Sequence, residues 1–323
     1  MKGYGPVDAM QFPRFSGIRT FMRLPLVQDL EGVDFAIIGA PFDTGATFRA
    51  GARFGPEGIR SASVLLRPYN PSQDIQIFDY LSGIDYGDFP VVPGYLPESH
   101  AKISEHMGPV LAEGVTPIVL GGDHSVTLPQ LRAINETFGP VALIQFDSHG
   151  DVWHGYFGGK DTHGTPFRRA IEEGLLDVSR SSQVGLRGSV YDFDDLQISR
   201  DLGFLVFTAD EVRQHGLDTV IDAVKERAGT GKGSSPSFLT FDIDFVDPTF
   251  APATGTPEVG GFSAWESQYL VRGLKGINFV AFDLVEVSPP YDTPGAITSL
   301  LAANLVYEFI SLLALAEQEK RLK

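Results

Sequence analysis

The sequence predicts an α/β fold: a mostly parallel sheet covered by helices on both faces. Two observations carry that expectation. Short β-branched or apolar runs alternate with helical patterns from about residue 33 to the end. Several of these runs lead directly into acids or histidine, and in open α/β sheets ligands bind at the carboxyl ends of strands. Strands are expected over 35–38, 116–120, 141–146, 183–186, 205–207, 238–241 and 279–284, with helices between them. Two helices should open on capping boxes, Thr208 with Glu211 and Ser263 with Glu266, each satisfying free N–H groups at a helix start. The segments around 69–74, 89–97 and 153–165 are too long for simple connectors and are candidates for the mouth of a pocket.

Composition narrows the class. The 323 residues show no compositional break, so a single domain over 1–323 is expected, with 1–32 as an N-terminal extension packing at the pocket or at a subunit interface. A hydrophobic fraction of 43% with 36 Gly and 22 Pro suits a globular protein with many shaped loops. The net charge of −16 repels phosphate backbones and anionic membranes, so neither nucleic acid nor membrane is an expected partner. That acidity also suits a cationic substrate, although a solvated surface accounts for most of these charges. There is no Cys, which excludes thiolate nucleophiles and thiolate metal sites and suits a reducing cytoplasm. The first 15 residues lack the apolar core of a signal peptide, so a cytoplasmic location is expected. The apolar stretch 297–316 has the length of a membrane span, but Asn304 and Glu308 interrupt it, and a buried C-terminal helix is the better reading.

The polar residues that follow the strands suggest the chemistry. Pro117 to Leu120 leads into Gly121-Gly122-Asp123-His124, Leu143 to Phe146 into Asp147-Ser148-His149-Gly150-Asp151, and Phe238 to Phe241 into Asp242-Ile243-Asp244. A fourth run, Phe279 to Phe282, leads through Asp283 to Glu286. Alternate residues of an extended segment point the same way, so Asp147, His149 and Asp151 can face one pocket, and Asp242 with Asp244 can do likewise. With His124 the set becomes two imidazoles and four carboxylates, enough for two divalent cations with a bridging Asp. Four crowded carboxylates without cations would repel one another strongly. Carboxylate and imidazole donors suit Mn²⁺, and Ni²⁺, Co²⁺, Fe²⁺ and Zn²⁺ remain compatible. Asp123 and Asp247 serve equally well as turn formers, and His100, His106 and His215 are expected at the surface. His154, in a loop close to the cluster, is a candidate for touching substrate.

Five blocks, GGDHS, DSHGD, THGTPFRRA, FDIDFVDPTFAPATGTPEVGG and EVSPPYD, occur in order and together resemble the agmatinase branch of the arginase family over nearly the whole chain. PRFSGIRTFMRLP and ARFGPEGIR look like members acting on guanidinoalkanoic acids and proclavaminate as much as on agmatine. The resemblance implies a three-layer α/β/α sandwich. It also implies a binuclear Mn²⁺ centre, with Ni²⁺ as the alternative, and a homo-oligomer, trimer or hexamer; a hetero-oligomer with a partner subunit is the other arrangement. Carried over residue by residue, it places the more buried metal on His124, Asp147, Asp151 and Asp242, and the other on Asp147, His149, Asp242 and Asp244. The implied activity is hydrolysis of a guanidino compound to urea and an amine by a hydroxide bridging the metals, which make hydroxide available near neutral pH. His163 resembles the family's proton-shuttling histidine, Glu286 would grip the guanidinium, and Asp151 is counted with them among the catalytic residues. The expected substrate is a small cationic or zwitterionic guanidino compound, agmatine or 4-guanidinobutyrate first, with 3-guanidinopropionate or an N-alkylated guanidine or biguanide as alternatives. A noncatalytic assembly subunit would carry degenerate ligands, and all six are intact.

Three positions depart from the family pattern: Ser148 in place of Ala, Trp153-His154 in place of short polar residues, and Ala253 in place of Gly. Trp153 and His154 directly follow the ligand loop, so they are candidates to contact the substrate tail. Packing of Trp153 at a subunit contact is the other reading.

Overall fold

A computed structural model describes residues 3–192, 194–231 and 233–322. Its strands are β1 (Phe35–Gly39), β2 (Tyr69–Asn70), β3 (Ile75–Gln76), β4 (Gly83–Asp88), β5 (Thr116–Leu120), β6 (Ala142–Phe146), β7 (Ser182–Leu186), β8 (Leu205–Thr208), β9 (Ser237–Asp242) and β10 (Phe279–Val285). Eight of them form one sheet, in the order β4-β1-β5-β10-β9-β6-β7-β8, and every adjacent pair in it is parallel. The expected strands are all present within a residue or so at each end. β4 was not expected, because Gly83-Ile84-Asp85-Tyr86-Gly87-Asp88 carries two glycines and two acids and so lacks an apolar run.

The α-helices are α1 (Gly55–Ser63), α2 (Ile77–Tyr80), α3 (Leu96–Ala112), α4 (Thr127–Phe138), α5 (Pro166–Glu172), α6 (Asp195–Asp201), α7 (Ala209–His215), α8 (Leu217–Ala228), α9 (Ala264–Gly273) and α10 (Ile297–Leu322). The period of two in the strands sorts their side chains onto two cores. Ile37, Ile118, Leu120, Phe146, Phe241 and Leu284 pack with α7 to α10, whereas Ile38, Val119, Leu143, Phe238 and Val285 pack with α3, α4 and α5. The result is a three-layer α/β/α sandwich. Both expected capping boxes are formed, at α7 and α9.

Three further placements refine the expectations. Residues 69–76 form the β2–β3 hairpin, which packs under α10 rather than at a pocket mouth. The N-terminal segment runs along the open edge of β4, with Tyr4 bonded to Ser82 and Gly83, Asp85 N–H donating to Pro25, and the Phe21 N–H donating to Asp85 at 2.8 Å. It thereby covers a strand edge that would otherwise expose unpaired backbone groups. His100 is not at the surface as expected but buried, set edge-on to Phe42, because Ser99, His100, Ile103 and Met107 form the inward face of α3 at helical spacing. Burial pulls its pKa down to about 3, with Arg132 adding to the effect, so the ring is neutral. His106 and His215 are exposed.

Helix α10 is long and apolar enough to cross a membrane, yet 78% of its most apolar stretch is buried inside the fold. Its one interior charge, Glu308, is compensated there: Arg272 donates to it at 2.6 Å and Asn70 at 3.0 Å. Replacing Arg272 with Met should leave that carboxylate buried without its cation and cost about 3–5 kcal/mol in urea unfolding, whereas adding Glu308→Gln to the same protein should recover most of the loss. Equal stability of wild type and Arg272→Met would show that the pair contributes nothing.

Candidate metal centre and active site

The sheet order makes β5, β10, β9 and β6 neighbours at the middle of the sheet, so the four chemistry-bearing strand ends meet in one place. His124 follows β5 in a tight turn that depends on Gly122, where a Cβ would lie 1.7 Å from the Phe42 carbonyl oxygen. Asp147 follows β6, Asp242 ends β9, Asp244 lies in the turn after it, and Glu286 directly follows β10. Asp151 and Glu286 both adopt left-handed backbone, with φ of 53° and 64°. Such conformations cost about 1–3 kcal/mol each, and here two of them aim side chains at one site.

The candidate ligands form two groups. His124 Nδ1 lies 3.1 Å from Asp147 Oδ2, 2.8 Å from Asp151 Oδ2 and 3.3 Å from Asp242 Oδ2. His149 Nδ1 lies 3.0 Å from Asp244 Oδ2 and 3.6 Å from Asp147 Oδ1. Asp147 thus faces both histidines, one with each oxygen. His124 Nδ1 and Asp244 Oδ2 are buried without a hydrogen-bond partner, which fits donors aimed at a cation. Two triads, His124 with Asp147 and Asp242, and Asp147 with His149 and Asp244, each bring their donor atoms within 4.8 Å of one another, the spacing a single ion needs, and Asp151 adjoins the first through His124.

The electrostatics are those of an overcrowded anionic site. Burial, with the charges of Asp244 and Asp147, pushes Asp242 well above the carboxylate range, and burial with Asp147 raises Asp151 to about 6. Burial disfavours the charged rings of His124 and His149, but their carboxylate neighbours more than offset it and hold both well above the usual imidazole value. For Asp147 burial is likewise outweighed, here by the two histidines, and its pKa falls below the usual range.

Glu286 links this cluster to His163. Its Oε1 accepts the His124 N–H and the His163 Nδ1 proton, each at 2.9 Å. Its Oε2 is buried and free, facing Gly255, whose missing Cβ would lie 3.2 Å away. Burial disfavours charge on His163, but Glu286 outweighs it and lifts the pKa to about 9. The other ring nitrogen, Nε2, meets the Thr47 hydroxyl at 2.7 Å and the Thr47 N–H at 3.2 Å.

A cavity of about 70 Å³ opens on this cluster, lined by His149, Asp151, Asp242 and His163 together with Trp153. Sequence reasoning missed four more of its residues, Thr47, Tyr156, Gly164 and Thr256. Tyr156 and Gly164 fall in the 153–165 segment read as a pocket mouth, Thr256 falls in the FDIDFVDPTFAPATGTPEVGG block without being singled out there, and Thr47 is a neutral residue that carried no signal of its own. Trp153 packs against Tyr156 and Tyr191 at 6.1 and 5.6 Å. His154 lies outside the cavity, exposed, and takes a hydrogen bond from Arg168. Asp123 is a turn former, accepting the Ser125 and Gly45 N–H groups at 2.9 and 2.7 Å, and Asp247 accepts the Thr249, Gly260 and Gly261 N–H groups.

The arginase family model matches residues 33–311 of this chain. The chain belongs to the arginase family. It is 45% identical over 311 residues to the guanidinobutyrase of Pseudomonas aeruginosa, covering 95% of this chain and 96% of that one. It is also 45% identical to the guanidinopropionase of the same organism, covering 96% of each. Among solved structures, the proclavaminate amidino hydrolase of Streptomyces clavuligerus superposes with a TM-score of 0.89 at 39% identity, covering 94% of this chain and all of that one. The protein is accordingly a ureohydrolase, an enzyme that hydrolyses C–N bonds in linear amidines.

The shifted pKa values give this arginase-family site a testable pH signature. A carboxyl whose folded pKa is raised from 3.8 to about 6, as for Asp151, contributes stability that is present below about pH 4 and lost as pH rises through 6. Raised imidazoles act in the same direction, their contribution being lost as pH rises from 6.5 through their folded pKa. Asp147, with its lowered pKa, is ionised in both states above about pH 4 and adds no slope there. Chelated protein should therefore lose thermal stability between pH 4 and 8, and added Mn²⁺ should remove most of that slope. Melting curves with the same slope in chelator and in Mn²⁺ would contradict this.

Proposed function

We propose that this enzyme hydrolyses a small cationic or zwitterionic guanidino compound to urea and an amine, with agmatine and 4-guanidinobutyrate the leading substrates. The observation that carries the reading is the shared carboxylate, Glu286, which bonds His124 of the ligand cluster and His163 through one oxygen and keeps the other free. The residues fit two divalent cations, one on His124, Asp147, Asp151 and Asp242 and one on Asp147, His149, Asp242 and Asp244. Mn²⁺ is the preferred ion on this oxygen-rich donor set, and Ni²⁺ the alternative. When bound, two such cations lower the pKa of water so that hydroxide is available near neutral pH, which a resonance-stabilised guanidinium carbon requires.

The chain's own groups then do the rest. Glu286 Oε2 accepts guanidinium N–H groups and orients the carbon for attack. Gly255 keeps that approach open. His163, held by Glu286 through Nδ1, supplies a proton to the departing amine. The cavity is small, about 70 Å³, and Trp153 and Tyr156 line it, so the tail of the substrate runs out past these two rings. Those two rings support a second reading of the tail, an N-alkylated guanidine.

The assembly we propose is a homo-oligomer, trimer or hexamer. The N-terminal segment supports it, exposing Met10, Phe15 and Ile18 beside a groove of about 450 Å³ lined in part by Phe15, Val64 and Leu65. The absence of Cys supports a cytoplasmic location.

Incubation of Mn²⁺- and Ni²⁺-loaded protein with a panel of guanidino compounds should release urea from at least one; silence across the panel would overturn the reading. Asp147→Asn and His149→Ala should each abolish urea release. His163→Phe should lower kcat by roughly 10²–10⁴-fold while metal content stays unchanged. Loss of metal from that variant would reassign His163 to the ligand set.

A further inference from the structure

One buried charge near the site has no part in the chemistry above. Asp283, on β10, is fully buried, and its hydrogen bonds from Thr127 Oγ1 at 2.6 Å and Gln130 Nε2 at 2.9 Å both go to Oδ2. Its other oxygen, Oδ1, is buried without a well-formed hydrogen bond. Among the described residues no Lys or Arg pairs with it. Burial raises the pKa of Asp283, and His124, Thr127, Gln130 and Thr240, its partner across the β9–β10 register, act against that shift in favour of the ionised carboxylate. The same hydroxyl lies 2.9 Å from His124 Nε2.

Proton bookkeeping orders these groups. His124 Nδ1 faces the oxygens of Asp147, Asp151 and Asp242, so a ring that presents its Nδ1 lone pair to a cation carries its proton on Nε2. That N–H then donates to Thr240 Oγ1. A hydroxyl that accepts there is free to donate its own proton, and Asp283 carries the unused acceptor. A buried carboxylate with no cation beside it is costly unless positive charge is supplied nearby.

We propose that Asp283 is a positioning residue for the metal centre, fixing the Nδ1-ligating form of His124 through the Thr240 hydroxyl and adding a negative charge that bound cations balance. The inference rests on the metal-centre reading of His124. Histidine ligands are commonly oriented in this way by a carboxylate behind them, and loss of such a partner weakens metal binding by about 10–100-fold.

The test uses full-length protein freed of metal with chelator. Mn²⁺ is titrated into wild type, Asp283→Asn, Thr240→Val and Thr240→Ser, free Mn²⁺ is followed by electron paramagnetic resonance, and melting temperatures are recorded with and without the ion. Asp283→Asn and Thr240→Val should bind Mn²⁺ about 10–100-fold more weakly and show a smaller metal-induced rise in Tm, while Thr240→Ser keeps near-wild-type affinity. The metal-free Tm of Asp283→Asn should match or exceed that of wild type, because an uncompensated buried charge has gone. A simple packing role would instead lower Tm equally with and without Mn²⁺ and leave affinity unchanged, and that result would overturn the inference. If Asp283→Asn does not fold, equal affinity of Thr240→Val and Thr240→Ser would overturn it in the same way. Wild type that binds no Mn²⁺ would overturn the metal-centre reading, and this inference with it, whereas wild-type binding with undiminished affinity in the variants overturns the inference alone.

Discussion

The mutual repulsion of Asp147, Asp151, Asp242 and Asp244, all buried at the carboxyl end of one sheet, is the constraint on which the rest of the site depends. No fold gains stability by drawing four carboxylates together out of water. The raised pKa values of Asp242 and Asp151, and the imidazoles held protonated beside them, are the protein's own partial answer to that repulsion. Divalent cations answer it more fully, which ties the integrity of the site to metal.

The scaffold tolerates this concentration of charge because it is over-determined elsewhere. The strands β5, β10, β9 and β6, which carry the candidate ligands and Glu286, are the four central ones, with apolar cores on both faces. Their ends are held by groups that do no chemistry themselves. Asp43 and Asp123 pin the loop carrying Thr47 by accepting the Gly51 and Gly45 N–H groups. Arg187 donates to the Asp244 and Glu258 carbonyls and so fastens the loop after β9 to β7. Such bracing lets Asp151 and Glu286 persist in left-handed backbone and keeps the cavity formed.

Much of this was legible in the sequence, and the reasons are physical. Buried parallel strands read as apolar runs, and a run that ends in Asp or His announces both its own end and the side of the sheet where chemistry sits. The six candidate ligands lie on such ends or directly after them, which is why they could be named together. β4 was hidden because it is an edge strand whose Asp85 is buried against Arg60 rather than among apolar side chains. His100 was misplaced because a single polar residue on the inward face of α3 looks like a surface residue until the helical spacing of its neighbours is weighed. Thr47, Tyr156 and Thr256 line the cavity from loops, where neither period nor charge marks a residue, and only the folded chain brings them to the site. Trp153 and His154, adjacent and equal as candidates in sequence, end on different sides of the loop, one in the cavity and one against Arg168.

The central claim is that two cations, not one, balance the carboxylate cluster. Metal analysis of the purified protein after reconstitution with Mn²⁺ and exhaustive dialysis tests it most directly. Two Mn²⁺ per chain, falling to one or none in Asp147→Asn, is the result expected of a carboxylate that faces both histidines. A single tightly held ion per chain in the wild type would contradict the binuclear account.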